Sequence, residues 1–212
     1  MHNSAMKRME WFVNNYIVPK AKAMAENDEV LKVMDLGSYN VNGSYKQMVT
    51  AIGHIDYVGV DVVPGPNVDV VLENPYSWPD QFLFGRFDFI ISGNAFEHIR
   101  FPWRTMEQIK LTLKQGGITC ILTPFSLGEH KYPTDCYRYF PDGMIALAEY
   151  AGLDIISCTT GGVPEHSLPN SWAMENYDDT VLIAGKHLTL GQINTLPRFK
   201  SEIRTKIWKG EI

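Results

Sequence analysis

Seven short apolar runs, spaced along most of the chain, constrain this sequence more than any other feature. They are "VLKVMDL" (30–36), "IDYVGVD" (55–61), "VDVVL" (68–72), "FDFIIS" (87–92), "GITCILT" (117–123), "LDIISCT" (153–159) and "TVLIAGK" (180–186). Each is bounded by turn-forming residues and too short for a buried helix, so each reads as a strand. Between several of them lie stretches with helical spacing: Ser44 to Ile52, Pro102 to Leu113, and Pro141 to Ala151, the last opened by a proline and closed before Gly152. Strands alternating with helices need crossover connections, and those place helices over both faces of a parallel sheet. The expectation is an α/β, doubly wound, mostly parallel seven-stranded sheet. Ahead of it, Met6 to Glu26 reads as a helix with Met9, Phe12, Val13, Tyr16 and Ile17 at helical spacing and an interruption near Pro19. Gly161 to Asp179 is long and aperiodic, and reads as an excursion or flap between the last two strands.

A length of 212 residues allows one sizeable core. We read a single domain, with 1–29 as a helical cover, 30–187 as the core and 188–212 as a polar tail. A hydrophobic fraction of 45% with 20% charged residues is that of a folded globular chain. The formal charge of −5 lacks the basic excess that draws a protein onto a phosphate backbone, so no nucleic-acid partner is expected. Cys120, Cys136 and Cys158 are an odd number at long spacings, which suits neither a disulfide framework nor a zinc knuckle and implies a reducing compartment. With no signal-like segment near Met1 and no apolar run long enough to cross a bilayer, the expected location is cytoplasmic, without membrane insertion.

In such sheets a ligand sits beyond the carboxyl ends of the strands, which directs attention to "DLGSYNVNGSY" after the first run. Gly37 lets the chain turn sharply and a ligand approach the backbone, and Gly43 allows close packing where the next helix begins. Asp35, at the strand end, either accepts hydrogen bonds from an ammonium group or orders the loop. The second strand ends in Asp61, about 25 residues further on, where an acid can take both hydroxyls of a ribose. The plain alternative for each is a turn or cap residue.

These segments resemble the class I S-adenosylmethionine-dependent methyltransferases, in particular the small type 11 group. The likeness runs from about Val30 to Lys186: "VMDLGSYNVNG" as the first motif, "YVGVD" with its ribose acid, "FDFIISGNAFEHI" at the fourth strand, and "TLKQGGITCIL" leading into the fifth. Tyr39 and Val41 stand where that family's loop normally has glycines, and Asn42-Gly43 makes the turn instead. The resemblance implies a Rossmann-like fold and S-adenosyl-L-methionine as cofactor, held by Asp35, Gly37, Ser38, Gly43, Asp61, Leu72 and Asn94, with Asp61 on the ribose and Leu72 beside the adenine. A nicotinamide-binding domain is the rival reading, but the loop lacks GxGxxG spacing.

A sulfonium methyl is already electrophilic, so the protein must chiefly align the acceptor and exclude water, and supply a base if the acceptor is a hydroxyl. Histidine suits that role near neutral pH. His98 follows Glu97 at the mouth of the fourth strand, and His130 lies in "SLGEHKYPTDCYRYFPDG" beside Asp135. The pattern His130, Tyr132-Pro133, Asp135 and Arg138-Tyr139-Phe140 is similar to one in type 11 relatives that accompany glycan-building enzymes. That likeness implies O-methylation of a saccharide acceptor, with His130 or His98 as base, Asp135 orienting or assisting it, and Tyr132, Arg138 and His166 contacting the acceptor. A small-molecule or lipid-like acceptor, or a non-catalytic cofactor-binding scaffold, is the alternative. Glu97, His98 and His130 resemble three of the four positions, two acids and two histidines, by which some small-RNA 2′-O-methyltransferases of this fold hold a divalent ion, but Asn94 replaces the remaining acid and a hard cation such as Mg²⁺ prefers carboxylate and water oxygens, so no metal is expected.

Overall fold

A computed structural model describes residues 3–41, 43–78, 82, 84–160 and 178–198. Its strands are β1 (Leu31–Leu36), β2 (Ile55–Asp61), β3 (Val70–Val71), β4 (Phe87–Gly93), β5 (Leu113–Ser126), β6 (Asp154–Thr160) and β7 (Asp178–Gly185). They form one sheet in the order β3-β2-β1-β4-β5-β7-β6. The pairs β3–β2, β2–β1, β1–β4 and β4–β5 are parallel, whereas β7 runs antiparallel to both β5 and β6. Strand order reverses between β1 and β4, so their carboxyl ends open a crevice between the loops that leave them.

Side-chain alternation divides the core into two layers. Val33, Phe89, Ile91, Cys120 and Ile183 face a cluster built on α1 (Asn3–Phe12), α2 (Val18–Ala25) and α3 (Lys46–Thr50). Met34, Ile90, Ile121 and Leu182 face the opposite cluster, where Met106 and Ile109 of α4 (Pro102–Thr112) and Met144 and Ala148 of α5 (Pro141–Ala151) pack. Helices therefore cover both faces, as expected. The cysteines are all unpaired, with Cys120 buried and Cys136 exposed.

Pro19 does not interrupt the first helix. A π-helical turn at Val13–Ile17, where the amide of Val18 reaches the carbonyl of Val13, lies just ahead of the proline, and the helix runs on to Ala25. The wider turn spares the carbonyl with which the ring collides in a regular helix. β3 is shorter than the apolar run at 68–72, because the Asp69 carboxylate takes the Gly59 amide at 2.8 Å and Val68 closes a turn onto Gly65. The helix expected from Ser44 to Ile52 forms only over Lys46–Thr50. Within the tail, Thr189 and Gln192 form a reciprocal capping box that starts α6 (Leu190–Thr195), and the Tyr16 hydroxyl donates to the Pro197 carbonyl. The expected excursion at Gly161 to Asp179 lies, up to residue 177, outside the described residues; Asp178 and Asp179 already belong to β7.

Candidate active site

The loops leaving β1, β2, β4 and β5 enclose a cleft of about 1030 Å³. Asp35, Gly37, Ser38, Gly43, Asp61, Leu72 and Asn94, the seven residues expected to hold the cofactor, all line it, as do His98, His130 and Tyr132. His166 falls outside the described residues.

The β1 loop is shaped by backbone that only glycine tolerates. Gly37 has φ +78°, and a Cβ there would stand 2.5 Å from the Ala95 Cβ. That turn lets the amides of Gly37 and Ser38 donate to the Val60 carbonyl at 2.8 and 3.1 Å, folding the loop over β2. Asp61 fastens it further: one carboxylate oxygen accepts the Tyr39 amide at 3.0 Å and the other the amides of Val62 and Val63. A carboxylate offers about four acceptor positions, so one remains for a ligand hydroxyl.

Asp35 is paired in register with Gly59, two residues before Asp61, so the two acids end neighbouring strands. It is buried, and its pKa is pushed up to about 7, chiefly by burial, with the Tyr57 hydroxyl bond opposing and Asp61 adding to the rise. Tyr57 donates to Asp35 at 2.6 Å, and Asn67 donates to the Tyr57 oxygen and to the Ser38 carbonyl. Sequence reading missed Tyr57 and Asn67. One signal was present: Tyr57, Gly59 and Asp61 alternate on one face of β2, and a Cβ on Gly59 would lie 2.0 Å from the Asn67 carbonyl oxygen.

Across the cleft, Asn94 adopts φ +54° and donates to Asp179 of β7 at 3.0 Å, while Arg8 of α1 binds the other oxygen of Asp179 at 3.1 Å. The Asn94 side-chain oxygen has no protein partner although it is buried. An orphaned acceptor beside a buried carboxylate is what a cationic amino-acid group requires.

Glu97 and His98 sit on a 3-10 turn, Phe96–His98, that follows β4. Glu97 is 0% exposed, and burial pushes its carboxyl up to about 8. One of its oxygens accepts the Thr123 hydroxyl at 3.4 Å, whereas Oε1 has no hydrogen-bond partner. His98 Nδ1 lies 2.6 Å from the Thr134 carbonyl, which can only accept, so Nδ1 carries the proton and Nε2 is the bare nitrogen. Burial lowers the His98 pKa. His130 stacks edge-on to it with ring centres 4.8 Å apart. Both Nε2 atoms turn toward Glu97 Oε1, at 3.7 and 4.0 Å.

Asp135 and Arg138 shape the loop that presents His130. Asp135 accepts the His130 amide at 2.7 Å and a bidentate Arg138 pair, and its carboxyl is held far below the usual range, chiefly by that guanidinium. It therefore orients His130, with Oδ2 3.6 Å from Nδ1, rather than taking a proton. Arg138 was expected at the acceptor, but the structure gives it another task. Its Nε donates to Leu127, Nη1 to Asp135 and the Tyr137 carbonyl, and Nη2 to Gly128 and Asp135, so all five N–H bonds are spent inside the protein. Tyr132, 60% exposed, meets both imidazoles edge-on and faces the cleft.

The sheet order and the cleft at the β1/β4 crevice define a class: a Rossmann-like fold with a loop-built ligand site beyond β1. A family model described as "Methyltransferase domain" matches residues 12–178, and the chain belongs to that family. It is similar in fold to a SAM-dependent methyltransferase from Archaeoglobus fulgidus (TM-score 0.56, 16% identity, 84% of this chain and 93% of that one). It is similar also to the Haemonchus contortus phosphoethanolamine N-methyltransferase 2 solved with S-adenosyl-L-methionine (0.54, 15%, 84% and 56%). The cyclase SpnF shares the fold as well (0.57, 14%, 82% and 82%), so architecture alone does not name the reaction. No curated protein matches the sequence.

Proposed function

We propose that this methyltransferase, which uses S-adenosyl-L-methionine, transfers its methyl group to a hydroxyl of a saccharide. One observation carries the reading: a single cleft is lined by two strand-end acids, Asp35 and Asp61, and by two imidazoles, His98 and His130. The donor fits the first half. Asp35 suits the amino-acid ammonium, the orphaned Asn94 oxygen offers a further acceptor in the same cleft, the remaining acceptor position of Asp61 suits a ribose hydroxyl, and Leu72 supplies an apolar wall for the adenine.

The imidazoles fit the acceptor half. An acceptor oxygen attacks the sulfonium methyl carbon, a C–O bond forms, the S–C bond breaks with its electron pair passing to sulfur, and the hydroxyl proton goes to a histidine Nε2. Amine acceptors lose their proton after transfer without help, whereas a hydroxyl gives up its proton during it. Hence the paired imidazoles favour a hydroxyl over an amine. Tyr132 and Tyr76 on the cleft wall offer aromatic faces for a sugar ring beside polar groups for its edges. The test is incubation with labelled methyl donor and a panel of mono- and oligosaccharides, followed by mass spectrometry to locate the label. Label on a sugar oxygen supports the reading. Transfer confined to nitrogen or carbon acceptors, with no sugar labelled, refutes it.

A further inference from the structure

Three side chains in the cleft point their electron pairs at one another. Glu97 Oε1 lies 3.7 Å from His98 Nε2 and 4.0 Å from His130 Nε2, and the three ligand atoms all fall within 4.8 Å. The other ring nitrogen of each imidazole faces acceptors of the protein. His98 Nδ1 donates to the Thr134 carbonyl. His130 Nδ1 lies 3.2 Å from the Gly128 carbonyl and 3.6 Å from Asp135, both acceptors. The remaining neighbour of His130 Nδ1, Arg138 Nη2 at 3.4 Å, has already given its two hydrogens to Gly128 and Asp135. The fully buried Glu97 side chain aims an unpartnered oxygen at both Nε2 atoms. Three atoms of metal-ligand type thus converge around an oxygen that no protein group engages, which is the geometry of a cation site.

We propose that Glu97, His98 and His130 form a site for one divalent transition-metal ion of the zinc or cobalt kind. Two imidazoles and one carboxylate are the donors that borderline cations prefer, and they leave positions open for a ligand. The expectation of no metal rested on Asn94 in place of a further acid and on the preferences of a hard, oxygen-seeking cation; a borderline ion needs only three protein ligands and leaves its fourth position to water or substrate. Spacing agrees: three atoms so placed have a common point about 2.5 Å from each, against about 2.0–2.2 Å in zinc sites, so each side chain closes in by a few tenths of an ångström. The surroundings agree as well, since metal-bound histidines usually donate their other nitrogen to a carbonyl or carboxylate, as both do here.

The binding of the ion stands on this geometry alone. Its use rests on the proposed O-methyl transfer: an acceptor hydroxyl in an open position has its pKa lowered by the ion, and its proton passes to solvent water instead of to a histidine. The resulting alkoxide attacks the methyl carbon and the S–C electron pair stays on sulfur. The cleft opens to solvent beside the exposed Tyr132, which gives that proton a path.

Full-length protein freed of metal by a chelator is titrated with Co²⁺, with calorimetry for stoichiometry and visible absorption for coordination. The expected result is one equivalent bound, a cobalt spectrum typical of nitrogen and oxygen ligands, and a loss of ~100-fold or more in affinity in His130→Ala. His54→Asn, at an exposed turn before β2, should change nothing. Histidine imidazole resonances of the wild-type protein supply a measurement that needs no variant: two of the six histidines should respond to the ion. No stoichiometric binding, or binding that His130→Ala leaves intact, overturns the site. S-adenosylhomocysteine binding to the metal-free protein is measured in parallel, so failure of the donor reading shows there and failure of the metal site shows with cobalt.

Discussion

Binding of the methyl donor should release a proton from Asp35. Burial holds that carboxyl at about 7 in the free protein, mainly neutral below that pH. A neutral acid cannot accept from an ammonium as a carboxylate does, so the ligand must drive the proton off. If the bound carboxyl returns to an ordinary carboxylate value near 4, affinity rises with pH: ~10-fold from pH 5 to 6 and ~5-fold from pH 6 to 7. The slope must flatten above 7, where Asp35 is already ionised. S-adenosylhomocysteine carries the same amino-acid end and is the practical ligand. Calorimetry in two buffers of different ionisation enthalpy reads the proton release directly, about 0.9 proton per ligand at pH 6. Asp35→Asn should abolish both the release and the slope. An affinity that is flat between pH 5 and 7, or a slope that survives in Asp35→Asn, refutes the assignment of Asp35 to the ammonium.

Replacing Gly37 with Ala forces a Cβ onto φ +78° and against Ala95, costing ~1–2 kcal/mol in backbone strain alone, and should weaken S-adenosylhomocysteine at least tenfold by calorimetry; wild-type affinity would show that the loop is not the cofactor cradle. Arg8→Met removes the buried cation that holds Asp179, and chemical denaturation should report a loss of ~3 kcal/mol or more, with weaker cofactor binding through Asn94. A loss well under 1 kcal/mol would show the pair to be dispensable. His98→Ala and His130→Ala should keep cofactor affinity within about twofold, while at least one lowers methyl transfer by ~10²–10⁴-fold in a single-turnover assay. Full activity in both removes the imidazoles from the mechanism.

Much of the architecture was readable because buried strands advertise themselves. β2 ends at Asp61 and α5 runs from Pro141 to the left-handed Gly152, both at the expected residues, since local chemistry sets those limits. The reversed direction of β7 was not readable, for an apolar run carries no sign of which way it lies in a sheet. β3 shrank because a side chain, Asp69, captured an amide that the ladder would have used. In the site, Asp35, Asp61 and Asn94 were visible as polar residues at strand ends, and His98 and His130 in the segments that follow β4 and β5, where the fold delivers them to one crevice. Tyr57 and Asn67 were hidden because their role depends on a contact between β2 and the chain ahead of β3, and Arg138 misled because an exposed-looking arginine gives no hint that every donor is already engaged.

That saturated guanidinium has an evolutionary consequence. With Arg138 stapling Leu127, Gly128, Asp135 and Tyr137 together, the segment behaves as a rigid bracket holding His130 at a set depth. Lys131, Tyr132 and Pro133 project from the bracket into the crevice and are exposed. Under the proposed transfer, substitutions at those three positions should retune acceptor choice while the imidazole keeps its place.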